Sequence, residues 1–254
     1  MTARIARIRR HPIKSLGGED MARVSLQAAR RLPGDRVWAI LTAAGEPHAG
    51  GAGDPDRWLP KSCFLRGVAS ATLQAVCGGW GEGTEAGPIR LCHPDRPDLH
   101  FDPETEGARL IDWVAPLWPD DLPPATRLVR GPTGWTDVAQ PWLSILSLSS
   151  LRDLESRLGR DLGIARWRAN LWVDGWQPHA EREMIGRILS VGGVELRVTE
   201  AIGRCAATSA DTASGRMDGD MPAELTTLYG NHRFGIYAEV VTGGQIALND
   251  EIRA

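Results

Sequence analysis

Residues 193–211 constrain this chain more than any other stretch. Val194, Leu196 and Val198 alternate with Glu195, Arg197 and Thr199. That period-two pattern is a strand with one apolar and one polar face. The pattern breaks at Gly203-Arg204-Cys205. A cation beside a cysteine favours the thiolate, the form that ligates soft metals or attacks electrophiles. A buried structural cysteine fits the same residues, because free Cys packs as a small hydrophobe. Short strand-like runs with glycine turns recur elsewhere, as in residues 234–241 and 245–248 around Thr242-Gly243-Gly244. Many short strands punctuated by glycine point to an α+β, mainly β fold that closes as a barrel with a few helices.

Composition removes several function classes. The chain has 254 residues and a formal net charge of -3, so no global attraction draws it to nucleic acid or an acidic membrane. No apolar run approaches the ~20 residues of a membrane span, and the N-terminus has no apolar signal core. A cytoplasmic location without membrane or nucleic-acid partners is expected. The four cysteines, Cys63, Cys77, Cys92 and Cys205, form no Cys-x-x-Cys pair. Zinc-ribbon and iron–sulfur sites are therefore not expected, and neither is a disulfide framework. Cys92, His93 and His100 admit a metal reading, but they lack any regular spacing.

Along the chain, strands are expected near residues 5–11, 21–26, 36–41, 63–66, 71–76 and 89–93. Gly78-Gly79-Trp80-Gly81-Glu82-Gly83 has no nucleotide-loop spacing and reads as a hairpin or loop. A short helix is expected at residues 110–117. The proline-rich residues 119–132 read as a linker between an N-terminal β-rich domain, 1–130, and a second domain, 131–254. A strand at 142–148 then leads into a helix opened by Ser149-Ser150, with Leu151, Leu154, Leu158 and Leu162 on one face. Ser150 with Asp153 makes a near-capping box, and Asp153 with Arg157 an i,i+4 pair. The polar residues 216–224 read as a mobile loop.

Candidate site residues fall into three groups. Lys14-Ser15 before Gly17-Gly18 offers a point charge and a hydroxyl to an anion; a solvated surface lysine is the alternative. Ser147, Ser149 and Ser150 line a strand-to-helix junction, where helix N-termini hold phosphates well; an ordinary serine cap is the alternative. Arg168 and Asn170, on one face of a strand, suit a ligand edge rich in donors and acceptors; exposed edge polars are the alternative.

Read together, Arg166-Trp167-Arg168-Ala169-Asn170, Arg204-Cys205, Asp211-Thr212-Ala213-Ser214-Gly215 and Phe234-Gly235-Ile236-Tyr237 resemble the MOSC domain. That domain occurs in molybdenum-cofactor sulfurases and the mitochondrial amidoxime-reducing component. Relatives carry Arg-Phe-Arg-Pro-Asn, where Ala169 stands here for proline, and Asp-Pro-x-Thr-Gly, where proline is lost and Ser214 replaces threonine. Pro12-Ile13-Lys14-Ser15 resembles a segment that touches the cofactor's phosphate. Gly34-Asp35-Arg36-Val37-Trp38 resembles a segment whose arginine helps form the cofactor site.

The resemblance implies a MOSC-type β-barrel binding the molybdenum cofactor (molybdopterin). Cys205 would be the metal ligand, and Lys14, Ser15, Arg36, Ser147, Ser149, Ser150, Arg168, Asn170 and Arg204 the cofactor contacts. Asp211 would assist proton delivery or hold its loop. The implied activity is reduction of small N-hydroxylated compounds. Electrons would come from a separate donor, a flavin reductase, ferredoxin or cytochrome b5-like protein. A Cys205 persulfide acting as sulfur carrier, or a non-catalytic cofactor-binding module, are the other implied functions.

Overall fold

A computed structural model describes residues 2–81 and 85–254 of the chain. The first strands are β1 (Arg4–Arg10), β2 (Glu19–Met21), β3 (Arg23–Leu26) and β4 (Trp38–Thr42). After several 3-10 turns come β5 (Cys77–Gly79), β6 (Ile89–His93), β7 (Arg96–Phe101), α1 (Gly107–Val114) and β8 (Ala125–Arg130). The second half holds β9 (Trp142–Ser147), α2 (Leu148–Leu158), β10 (Leu171–Asp174), β11 (Ile188–Val191) and β12 (Val194–Gly203). It ends with α3 (Met221–Tyr229), β13 (Arg233–Thr242), β14 (Gly244–Ala247) and β15 (Ile252–Arg253). The fold is thus mainly strand, with few helices.

The largest sheet has eight strands in the order β15-β11-β12-β13-β9-β10-β1-β2. Its neighbours are antiparallel except β9 and β10. A parallel pair needs a crossover, and α2 supplies it. The first strand of the chain thus sits beside β10, deep in the second half. Where a closed barrel was expected, no continuous ladder joins the sheet's ends among the described residues. The start of β1 instead meets the segment before β15 through an Arg4–Glu251 bridge. Main-chain bonds there run from Ile5 to Asp250, from Asn249 to Ile5 and from Ile252 to Ala3.

The alternation in β12 is realised in burial. Val194, Leu196 and Val198 are buried in a core with Ile5, Ile145, Val173 and Ile236, whereas Glu195 and Arg197 are exposed. The opposite face packs Leu146, Trp172 and Phe234 under Leu151 and Leu154 of α2 and Leu225 of α3. Strand pleating sends successive residues to opposite faces, so one sheet feeds two cores. A third core, with Leu110, Trp113 and Val114 of α1, covers β4, β6 and β7.

Several elements depart from their sequence patterns. Residues 71–76 form a 3-10 turn, Ala71–Ala75, because Leu73, Gln74 and Ala75 are buried consecutively and leave no alternation for a strand. The stretch read as a linker contains β8, which pairs with β4. Pro123 and Pro124 precede that strand and Pro132 follows it, so none removes a ladder donor. The 216–224 stretch runs into α3, whose Asp220 cap accepts from Ala223 N and whose first turn holds Pro222. A disulfide joins Cys77 and Cys92, against expectation. The two residues face each other across β5 and β6, a register that spacing alone does not reveal. Glu82 and Gly83 of the expected glycine loop lie outside the described residues. No described helix is long and apolar enough to cross a membrane.

Candidate functional site

β12 ends at Gly203, and Arg204-Cys205 leads into the 3-10 turn Ala206–Ser209. Cys205 is exposed and lines a cleft of about 330 Å³. Its backbone carbonyl accepts from Thr208 N and Oγ1 at 3.1 and 2.8 Å, which fixes the turn behind it. Lys14 and Ser15, after β1, line the same cleft, as does Arg36 from the loop before β4. Arg168 and Asn170 join them from the approach to β10, and Arg204 from the end of β12.

Three of these residues hold left-handed backbone: Ser15 at φ 65°, Arg36 at 54° and Arg168 at 49°. Non-glycine residues seldom take that region, and strain of this kind clusters at ligand sites. Arg168 and Asn170 consequently do not share a strand face. Arg168 follows a 3-10 turn, and Asn170 precedes β10.

The cleft is strongly cationic. Lys14, Arg36, Lys61, Arg66, Arg166, Arg168 and Arg204 line it, against one carboxylate among the described lining residues, Asp137. Lys14 Nζ donates to Asp137 Oδ1 at 2.5 Å and to Trp135 O at 3.0 Å. Burial lowers the pKa of Lys14 despite Asp137. Burial would raise that of Asp137, but Lys14 and Arg36 hold it down at about 2. Arg36 pairs with Asp35 and donates to the Arg168 carbonyl at 2.9 Å. Burial opposes the Arg36 cation, yet Asp35 and Asp137 raise its pKa above the ordinary guanidinium value.

Arg168 spans the fold, donating to Gly17 O at 2.7 Å and to Ile13 O at 3.1 Å. Burial, then the neighbouring Arg36 charge, pull its pKa down to about 9. Arg204 donates to Phe234 O at 2.8 Å and to Trp167 O at 3.1 Å. Its Nη2 is buried with no partner among the described residues, and burial lowers its pKa to about 10. An orphaned guanidinium donor in a cleft is costly unless a ligand accepts from it.

Ser147, Ser149, Ser150 and Asp211 stay outside the cleft. Ser147 is the α2 cap itself, its Oγ accepting from Ser150 N at 3.3 Å, so the cap sits two residues earlier than Ser149-Ser150 implied. Ser149 lies in the first turn of α2 and is not among the lining residues. Ser150 is buried; its Oγ donates to Glu181 Oε2 at 2.9 Å and accepts from His179 N at 2.8 Å. The α2 N-terminus therefore packs into the protein and does not open on the cleft. Asp211 turns back on its own loop, accepting from Ser214 Oγ at 2.5 Å, Ser214 N at 3.0 Å and Ala213 N at 3.2 Å. Its pKa is lowered, mainly by Ser214. Asn170 lines the cleft, but its side-chain carbonyl is committed to Ser144 N and Oγ at 3.1 and 2.9 Å. That bond ties β9 to the approach of β10.

Lys61, Arg66, Gln74, Asp137, Trp142 and Tyr237 also line the cleft, and no sequence pattern marked them for it. Tertiary packing alone brings them there. Elsewhere, Cys92 is in the disulfide and His93 Nε2 lies 3.0 Å from Thr72 Oγ1.

Glu181, fully buried behind Ser150, supplies a pH-dependent prediction. Burial raises its pKa, and its Oε1 has no partner among the described residues. A carboxyl with a raised folded pKa stabilises the fold below its unfolded pKa and loses that contribution as pH rises through the folded value. At neutral pH the charge therefore costs stability. Glu181→Gln is expected to raise Tm at pH 7 by ~2–4 °C, with the gain shrinking at pH 4. Thermal melts at both pH values check this; an equal or negative shift at pH 7 rules it out.

A mainly β fold with an exposed thiol in a cation-lined, strained cleft is built for an anionic ligand with a soft or electrophilic centre. Residues 137–253 match the MOSC domain, which places a MOSC domain in the second half of the chain. A curated relative is the mitochondrial amidoxime-reducing component 1 of Mus musculus, 36% identical over 91 residues. That match covers 36% of this chain and 26% of the relative, so the chain spans about a quarter of the relative's length. Among solved structures, the YUAD protein of Bacillus subtilis aligns over 99% of this chain and 94% of its own, at 13% identity and a TM-score of 0.46. YiiM of Geobacillus stearothermophilus aligns over 43% of this chain and 52% of its own, at 17% identity and a TM-score of 0.34.

Proposed function

We propose that the cleft holds a molybdenum cofactor and that the chain reduces small N-hydroxylated compounds with electrons from a separate donor protein. One observation carries the reading: the exposed Cys205 thiol lines a cleft with seven cations and a single carboxylate among the described lining residues. The donor set fits the group. Lys14, Ser15, Arg36 and Arg168 suit a phosphate, as charge-assisted donors do. The unpartnered Arg204 Nη2 suits an acceptor on the pterin. Cys205 suits the metal, since thiolates favour soft centres. The MOSC domain and the partial similarity to an amidoxime-reducing component support the same reading.

Molybdenum, when bound, supplies two-electron redox chemistry. The net reaction breaks one N–O bond, takes up two electrons and two protons, and releases water with the parent nitrogen compound. This chain's residues contribute binding, orientation and electrostatics. Arg168 locks the Lys14 segment to the approach of β10 through Ile13 and Gly17. Asp211 holds the loop beyond Cys205 and is placed outside the chemistry. The organisation proposed is an N-terminal β-rich part, 1–130, and a MOSC part, 131–254, with β1 of the first lying in the sheet of the second.

The reading is tested by supplying electrons in two ways. With reduced methyl viologen, protein from a molybdenum-replete host is expected to convert benzamidoxime to benzamidine. With NADH alone it is expected to do nothing, because a flavin reductase, ferredoxin or cytochrome b5-like protein must intervene. NADH turnover by the chain alone contradicts the donor assignment. Cyanide-releasable sulfur without molybdenum supports the sulfur-carrier reading, for which the exposure of Cys205 is also suited.

A further inference from the structure

The cations of the cleft divide by what already engages them. Lys14, Arg36 and Arg166 face carboxylates, and Arg168 and Arg204 are bound to backbone carbonyls. Arg66 is different. It lines the cleft, half-buried, and its guanidinium has no hydrogen-bond or ion-pair partner among the described residues. Lys61, close by in sequence, acts on Asp137 only through space.

Arg66 also sits at the thiol end. The next residue, Gly67, packs so tightly that an added Cβ would lie 1.7 Å from Gln74 Nε2 and 3.5 Å from Ala207 Cβ. Ala207 is two residues past Cys205, and the turn Ala71–Ala75 packs on the turn Ala206–Ser209. Beside Arg66, Val68 is 44% exposed and also lines the cleft. An unengaged guanidinium, an apolar surface and the Gln74 amide thus meet near the thiol.

We propose that Arg66, assisted by Lys61, is the specificity determinant of this cleft, selecting N-hydroxylated substrates that carry a carboxylate or phosphate over neutral ones. The proposal rests on the N-reductase reading above. A guanidinium pairs a planar oxyanion through two parallel bonds, and Val68 would cover an apolar spacer between that oxyanion and the N-hydroxyl group.

The test compares 4-carboxybenzamidoxime and a phosphate-bearing benzamidoxime with benzamidoxime, using molybdenum-loaded wild type, Arg66→Gln and Arg66→Lys. Wild type is expected to favour the anionic substrates about tenfold in kcat/KM, chiefly through KM. Arg66→Gln is expected to bring that ratio to about one and Arg66→Lys to restore part of it. Selectivity for only one of the two anions identifies which oxyanion the site takes. Equal kcat/KM on all three in wild type overturns the proposal. So does a loss of molybdenum from Arg66→Gln, which would make Arg66 a cofactor contact. Calorimetric binding of the same compounds is read in parallel. Anion-selective binding that Arg66→Gln abolishes, without turnover by any variant, upholds the selectivity and rejects the N-reductase reading.

Discussion

Cys205→Ser is expected to lower the proposed N-reduction by ~100-fold or more, since losing the proposed metal ligand exceeds the 10–100-fold cost of losing the groups that orient one. The same variant is expected to keep its Tm within ~2 °C of wild type. Cys205 is exposed, and the bonds that hold its turn run to its backbone carbonyl, which serine retains. The pair of measurements separates the thiol's chemistry from its packing. Methyl-viologen-driven reduction of benzamidoxime reads the first and a thermal melt the second. Undiminished reduction removes Cys205 from the chemistry; a fall in Tm of many degrees makes it a structural cysteine after all.

The largest stability effect is expected at Trp172. This residue is fully buried on β10, between the sheet and the layer of α2 and α3, among Leu146, Leu154, Trp167 and Phe234. Trp172→Ala is expected to cost ~3–5 kcal/mol, the range for deleting a large aromatic from a core. That is a major fraction of the ~5–15 kcal/mol of a typical domain. Trp172→Phe is expected to cost far less, because Trp172 Nε1 is buried without a partner among the described residues and phenylalanine removes that orphan. Urea denaturation midpoints at constant m-value check both. Equal costs for the two variants contradict the account of the indole nitrogen, and a cost below ~1 kcal/mol for alanine contradicts the packing.

Much of the second half was legible because its residues obey local rules. The period-two run at Val194, Leu196 and Val198 became β12, and its interruption at Gly203 put Arg204 and Cys205 in the cleft. Leu151 and Leu154 face the core of α2 at helical spacing, Gly159 ends that helix in left-handed backbone, and Asp153 pairs with Arg157 at 2.8 Å. Serines 147, 149 and 150 show where local rules stop. All three satisfy the composition of a cap, and only the path of the chain shows that Ser147 caps while Ser150 is spent on Glu181.

Non-local geometry hid the rest. Arg66 and Gln74 reach the cleft because the turn Ala71–Ala75 lies against the turn Ala206–Ser209, a contact between distant segments with no periodic trace. Asp35 was visible only as a neighbour of Arg36 in Gly34-Asp35-Arg36-Val37-Trp38. In the fold it accepts from His11 N at 2.8 Å and pairs with Arg36, so it anchors one cleft cation. Burial would raise its pKa, but Arg36 and His11 hold it well below the usual carboxylate range. The Cys77–Cys92 bridge likewise depends on strand register.

Elemental analysis of the wild-type protein, expressed with ample molybdate and its cofactor pathway intact, tests the account most directly. About one molybdenum per chain, co-eluting with pterin fluorescence after denaturation, is the predicted result for a site built from one thiolate and several cations. Metal-free protein from that host, with Cys205 still titrating as a free thiol, would contradict it.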